Sequence, residues 1–440
     1  MNSRLGVCRW RLLTQVLVCA FAPLEAQAPP SSCNPICLSR RARDALAAGR
    51  HADYLMYARQ LAARAPDHPG VIYAVATGFA LVGQADSALG WLNRLAQMGA
   101  SRAPGSDSVF AALWNTSAFR AVQARLDTNR IPIVRGRAAF SLPDPDLLPE
   151  ALAWDGAGAS WIVGSLAKRR LIRVRQNASV TDFLSREDLL RVVGIHADSA
   201  RAMLWFATWA PRVHAVGPDN EPITATRLFR CDLRTGQVLR RYIPPDSGTS
   251  HLFNDLAIAA NGDVYITDTQ QAWVYRISAE VDSLEVFLRP DPDHFSGANG
   301  IVLAPGDRTL YVAFLEGIAR LDVRTRRLAR LRAASNTSTA GIDGLYWYRG
   351  ALLGVQNAPG LERVVRFQLT SHGGSIGRTE VLERDDRLLR VPTTGAIVGT
   401  RFYYIANSQA ERLGEDDRLS PAATSPAPLT VVRVIDLERR

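Results

Sequence analysis

Four oxygen-bearing side chains open four hydrophobic strand patterns at one recurring register: Glu150 in PEALAW, Asn254 in NDLAI, Asn299 in NGIVL and Asp343 in DGLYW. Each is followed by a small or acidic residue. Two carboxylates and two amides brought to one point would make an all-oxygen site of two formal negative charges, the donor chemistry of a hard divalent cation. Calcium fits most naturally, and magnesium, manganese and zinc are the other candidates. The set holds no histidine or cysteine, which weighs against zinc and copper. Two carboxylates sharing an axis repel each other unless a cation stands between them. Asn and Asp also begin turns. Glutamate, however, is a poor turn residue, and the equivalent positions Val193 and Thr394 show that the register does not demand one.

Bringing these residues together requires a closed repeat. Beyond Ile131 the chain reads as short strands separated by Gly, Asp, Asn and Pro turns. One unit is PEALAWD, SWIVGS, LIRVR, VTDFLS; another is FNDLAIA, DVYITDT, WVYRI, LEVFL. The register positions Glu150, Val193, Asn254, Asn299, Asp343 and Thr394 are spaced by 43, 61, 45, 44 and 51 residues. Four strands per unit at this period predict a six-bladed β-propeller, with seven blades as the lesser option. Near-constant spacing argues against a β-sandwich. The sixth unit lacks a fourth strand, and IVRGRAAFSL, just before the first unit, is placed to supply it. The inner strands of a propeller line its axial channel, so the four side chains would face one another there.

Residues 33–130 differ in kind. They are rich in Ala, Leu and Arg, with apolar residues at helical steps. Gly49 and Gly83 lie 34 residues apart, as do Leu61 and Leu95, and Ala62 and Ala96. That period predicts a small all-α, tetratricopeptide-like domain of two helix pairs and a terminal helix from Phe119 to Leu126. Stacked pairs of this kind present grooves to peptides. The domain would therefore either hold a protein partner or cap the propeller, residues 131–440.

Residues 1–28 carry the marks of an export signal. Arg4, Arg9 and Arg11 precede an apolar run from Leu12 to Leu24, and Ala26-Gln27-Ala28 fits a cleavage site after Ala28. The expected location is the periplasm or the exterior, with no membrane span in the mature chain. Of the cysteines outside the signal, Cys33 and Cys37 can bridge in an oxidising compartment, and Cys231 lies in a buried strand pattern. The net charge of +10 is dispersed arginine, Lys168 being the only lysine. Without clustering among aromatics it does not indicate nucleic acid.

From Pro149 to Arg440 the chain resembles the gluconolactonase/regucalcin (senescence marker protein) propellers, and more distantly the arylesterase-type paraoxonases and strictosidine-synthase-like proteins. The carriers are PEALAWD, FNDLAIAANGDVYITDT, ANGIVLAPGDRTLYVAF and GIDGLYW. The resemblance implies that Glu150, Asn254, Asn299 and Asp343 hold one catalytic metal, and that the chain opens lactones or related esters. Asp343 would then be the general base as well as a ligand. Two departures stand out. Leu252 replaces an arginine that grips substrate in sugar lactonases. Ala151 replaces an acidic residue which, with the position of Asp255, holds a second calcium in paraoxonase-like members.

Other candidates surround this set. His251 and His294 lie in loops leading to Asn254 and Asn299, and are candidate substrate contacts with Trp209. Trp205, Trp209 and Arg212 border an insertion in the second blade that could form a lid. His196 reads as a packing residue, and Asp268 as a tie between strands. Two other functions stay open: a non-catalytic scaffold whose helices recruit a protein, and a metal-independent lyase or synthase.

Overall fold

The computed structural model describes residues 33–211, 225–245, 248–384, 387–414, 416–422 and 428–439. The expected export signal and Arg212 lie outside the described residues. Among those described, no helix is long and apolar enough to cross a membrane.

Six antiparallel sheets follow one another along the chain. Blade one comprises Pro149–Asp155, Ser160–Ser165, Arg170–Arg175 and Val180–Ser185. Blades two to five repeat that order from the inner strands Arg191–Asp198, Phe253–Ile258, Ile301–Leu303 and Ile342–Tyr348. Blade six has Gly395–Val398, Arg401–Ile405 and Val431–Asp436, and Gly136–Ser141 from before blade one is its fourth strand. The ring is thus a six-bladed propeller closed by both ends of the chain. IVRGRAAFSL is nevertheless not one strand. Ile133–Val134 pairs with Ile376–Arg384 as a fifth strand of blade five, and the chain crosses to blade six at Arg135.

Second strands are buried along most of their length, and fully in Ser160–Ser165 and Ala351–Gln356. Strands covered on both faces lose the polar alternation of a half-solvated sheet. The core lies between neighbouring blades. Phe206, Phe229 and Cys231 meet Ala151 and Ile162 between blades two and one, and the Cys231 thiol is free and buried.

Five helices precede the ring: α1 Pro35–Ala47, α2 His51–Arg64, α3 Pro69–Leu81, α4 Ala85–Gln97 and α5 Ser117–Asn129. The 34-residue period is physical. Gly49 (φ 69°) and Gly83 (φ 76°) end the first helix of each pair in the left-handed region, where a side chain is disfavoured. Asn34, His68 and Thr116 accept the backbone N–H of Cys37, Val71 and Phe119 and so cap α1, α3 and α5. Cys33 and Cys37 form a disulfide across the first turn of α1.

Residues 33–440 form one compact unit, so the composition change near Ile131 marks a switch of secondary structure inside it. Ile72, Leu95, Met98 and Ala100 pack on Ala358 and Leu361 of blade five. Fully buried side chains such as Ile72 and Leu95 contribute roughly 1.5–3 kcal/mol each. Polar links fix the register of this contact. Ser338 Oγ donates to the Asp67 carbonyl (2.7 Å), Arg330 pairs with the Asp67 carboxylate (3.1 Å), and Ser101 N donates to Gly360 O (2.8 Å). Strand direction alternates within a blade. The loops carrying Ser338 and Gly360 therefore emerge at the end where the inner strands begin, and the helices sit beside that mouth.

Candidate metal centre

All six inner strands are irregular at the same place. Pro149 and Ala151 pair with Ser165 and Gly164, leaving Glu150 as an extra residue. The same slip falls at Val193, across Asn254–Asp255, and across Asp343–Gly344. In blade four, Asn299 and Gly300 both bond to Ala313; in blade six, Thr393 and Thr394 both bond to Ile405. A bulge breaks the alternation of a strand and re-aims side chains. Here it occurs at the register of the four candidate ligands.

The ring is drawn tight at these bulges. A Cβ on Gly300 would lie 2.5 Å from the Asp343 carbonyl oxygen, so blades four and five meet only because that position is glycine. Thr394 Oγ1 donates to Glu150 O (2.8 Å), and Thr267 Oγ1 donates to Asn299 O (2.7 Å). The Tyr346 hydroxyl accepts from Gly395 N (2.5 Å). Asp255 accepts from Leu256 N (2.8 Å) and Ile301 N (3.2 Å), so its carboxylate ties blade three to blade four.

Two of the four candidates, Glu150 and Asn299, carry a buried side-chain oxygen without a partner. The Asn254 amide nitrogen donates to Thr269 Oγ1 (2.9 Å). Asn299 donates its side-chain N–H to Asp343. Asp343 Oδ2 also accepts from Asn357 Nδ2 (2.9 Å). Both asparagines thus have their nitrogens engaged. Glu150 Oε2 and Asn299 Oδ1 are buried with no hydrogen-bond partner. An orphaned buried carboxylate oxygen is costly and calls for an explanation.

The electrostatics agree. Burial, then the nearby Asp343 charge, pushes the Glu150 carboxyl well above its ordinary range. Burial raises Asp343 to about 6 against the Asn299 and Asn357 hydrogen bonds. Asp255 is raised to about 7 by burial and, less, by Asp343, while its two backbone donors oppose this. Carboxylates in the mouth of one channel thus resist ionising together, which a cation would reverse. Among the described residues, no group of three or more His, Cys, Asp or Glu side chains is arranged for a metal. Any ion here would rest on a mixed carboxylate–amide set.

Beneath the bulges the axis opens into a cavity of about 530 Å³, lined by Asp255, Tyr346 and Thr394 and further along by Trp154, His196 and Trp347. Burial, then the Asp255 charge, holds the Tyr346 hydroxyl well above its usual range. His196 is not a packing residue: its ring is exposed to the channel. The surrounding protein pushes its pKa down, and Asp198 opposes this.

The three candidate substrate contacts fall in different settings. His251 is 3% exposed, its Nδ1 paired with Asp268 Oδ2 (2.6 Å) and its Nε2 with Thr249 Oγ1 (2.9 Å). Asp268 also accepts from Leu252 N (3.0 Å), so it ties the loop before Asn254 to the second strand. His294 is exposed and pairs with Asp291 (2.9 Å). Trp209, next to last in its strand, lies under Arg191, and its indole N–H is buried without an acceptor. Asn357, Thr269 and Tyr346 escaped the sequence reading. Asn357 and Thr269 close the second strands of their blades, a position that faces the same mouth.

No family model matches the chain, nor does any curated protein. Solved propellers are similar to it at low identity. A gluconolactonase from Xanthomonas campestris is 17% identical, over 69% of this chain and 90% of that one, with a TM-score of 0.48. A virginiamycin B lyase from Staphylococcus aureus is 15% identical (67% and 97% covered, TM-score 0.44). A PQQ-bound aldose sugar dehydrogenase from Streptomyces coelicolor is 11% identical (69% and 99%, TM-score 0.45). Three chemistries appear among these three proteins, and no function follows from the likeness.

Proposed function

We propose that Glu150, Asn254, Asn299 and Asp343 hold one divalent cation, calcium most naturally, and that the chain is an exported, metal-dependent hydrolase of lactones or related esters. The observation that carries this is the pair of buried, unpartnered oxygens, Glu150 Oε2 and Asn299 Oδ1, at one register of the ring. Two carboxylates supply charge, and two amides supply neutral oxygens whose nitrogens are already committed. That set suits a hard cation with vacant positions for water or substrate.

A bound divalent ion supplies Lewis-acid polarisation of an ester carbonyl and charge to offset an oxyanion. The residues of the chain do the rest. Asp343 takes the proton of the attacking water. Asn299 and Asn357 donate to its carboxylate and hold it against rotation. Glu150 contributes charge without titrating in the reaction. Leu252 stands where sugar lactonases carry a substrate-gripping arginine, so we assign lactones or esters less polar than a sugar acid. The Cys33–Cys37 disulfide suits an exported chain.

A panel of aliphatic lactones and aryl esters, assayed before and after chelation, tests the assignment. Hydrolysis that stops on chelation and returns with calcium is expected. Full turnover by the metal-free protein would reject it.

A further inference from the structure

A second cavity, of about 390 Å³, lies where the end of α4 meets the outer part of blade five. Its polar wall includes Asn336, Thr337, Arg363, Arg378 and Arg384, and among the described residues none that lines it is acidic. Arg363 is 4% exposed. Its Nε donates to Gln356 Oε1 (2.6 Å), and among the described residues no carboxylate lies within ion-pairing distance of it. A Cβ on Gly99 would stand 3.2 Å from Arg363 Nη1, so α4 closes directly over the guanidinium. Arg384 gives its Nε to Ile131 O (3.2 Å), and among the described residues no carboxylate pairs with it.

Burying a guanidinium without a counter-charge is far costlier than burying a paired one. Burial, then the neighbouring Arg384 charge, pushes the Arg363 pKa down to about 10. The C-terminus of α4 brings only about half a negative charge to this wall, against three arginines. Forked guanidiniums match a phosphate or carboxylate edge with paired hydrogen bonds.

We propose that this cleft is a binding site for a phosphate-type oxyanion, free or carried on a small organic molecule, held by Arg363, Arg378 and Arg384 with Asn336 and Thr337 at its edge. The site is separate from the axial channel and does not depend on the reaction proposed above. It does touch the approach to Asp343: the Gln356 amide that meets Arg363 also donates to Ser338 O (3.2 Å) and Ala340 O (2.7 Å).

The test is calorimetry on the full-length, metal-free protein, with inorganic phosphate and with glucose 6-phosphate, at constant ionic strength set by chloride. One saturable site per chain is expected. Arg378→Ala and Arg384→Ala should each weaken binding about tenfold or more, since each removes a charge-assisted contact. Arg363→Gln should abolish binding and leave the fold intact, because it removes an uncompensated buried charge. Tighter binding of the sugar phosphate identifies an organic ligand, and equal binding identifies free phosphate; either supports the site. Absence of a saturable heat in the wild type would overturn it, as would unchanged affinity in both the Arg378 and Arg384 variants.

Discussion

Asn357 donates its side-chain amide to Asp343 Oδ2 at 2.9 Å, reaching from the end of one strand of blade five to the bulge of its neighbour. This bond fixes one oxygen of the candidate general base. Asn357→Leu should therefore raise the Asp343 pKa further, since a hydrogen bond to the charged form is lost. We expect calcium affinity to fall about tenfold, with the circular dichroism spectrum unchanged. Isothermal titration of the chelated protein measures this, and unaltered affinity would remove Asn357 from the account.

Glu150→Gln and Asp343→Asn preserve shape and each delete one charge. Both should abolish calcium-dependent hydrolysis. In the metal-free protein they should have the opposite effect on stability, raising the melting temperature by relieving like-charge repulsion in a buried setting. A thermal scan in chelator separates this from a general loss of packing, which would lower it.

Stability should depend on pH in a matching sense. Burial lifts the folded-state pKa of Glu150 and takes that of Asp343 to about 6, so folding favours their protonated forms. Their contribution is fully present below the ordinary carboxylate range and is lost as pH rises through about 6. Metal-free protein should thus weaken between about pH 4 and pH 7, and calcium should restore the loss at the upper end. Urea midpoints at a series of pH values, with and without calcium, will show whether the two curves diverge upward.

His68 gives the reverse sign in the helices. Burial pushes its pKa down to about 4 while it caps α3 as the neutral ring. Stability should then fall as pH drops from about 6.5 toward 4. His68→Asn, which keeps a cap, should flatten that limb of the curve, and persistence of the full slope would place its origin elsewhere.

Gly300 makes a purely steric prediction. Gly300→Ala puts a methyl carbon 2.5 Å from the Asp343 carbonyl oxygen, and backbone cannot yield as a side chain can. A loss of about 1–3 kcal/mol is expected from denaturant unfolding. A neutral effect would mean that the seam between blades four and five is looser than described.

Much of this architecture is written in the sequence as periodicity. The recurrence of one register at Glu150, Val193, Asn254, Asn299, Asp343 and Thr394 sufficed for six blades, because each blade buries one hydrophobic run per strand. The missing fourth strand of the last unit pointed to closure by the N-terminal segment. The bulges were not legible, since both residues of a pair such as Val192–Val193 are apolar and buried. That irregularity also explains His196: counting faces from Val193 fails once the alternation slips. Asn357 and Thr269 follow ordinary strand patterns, and nothing in their neighbours marks them as partners of the site. The crossing at Arg135 was hidden because either half of IVRGRAAFSL makes an acceptable strand. Arg363 sits in RVVRFQL as one arginine among many, and only the approach of α4 sets it apart.

The central claim is that oxygens from four blades share one cation. Calcium titrated into chelator-treated protein, by calorimetry, tests it most directly, with Glu150→Gln titrated in parallel. One binding event per chain in the wild type, weakened at least about tenfold in the variant, is the predicted result. Absence of binding to the wild type, or equal affinity in the two proteins, would contradict it.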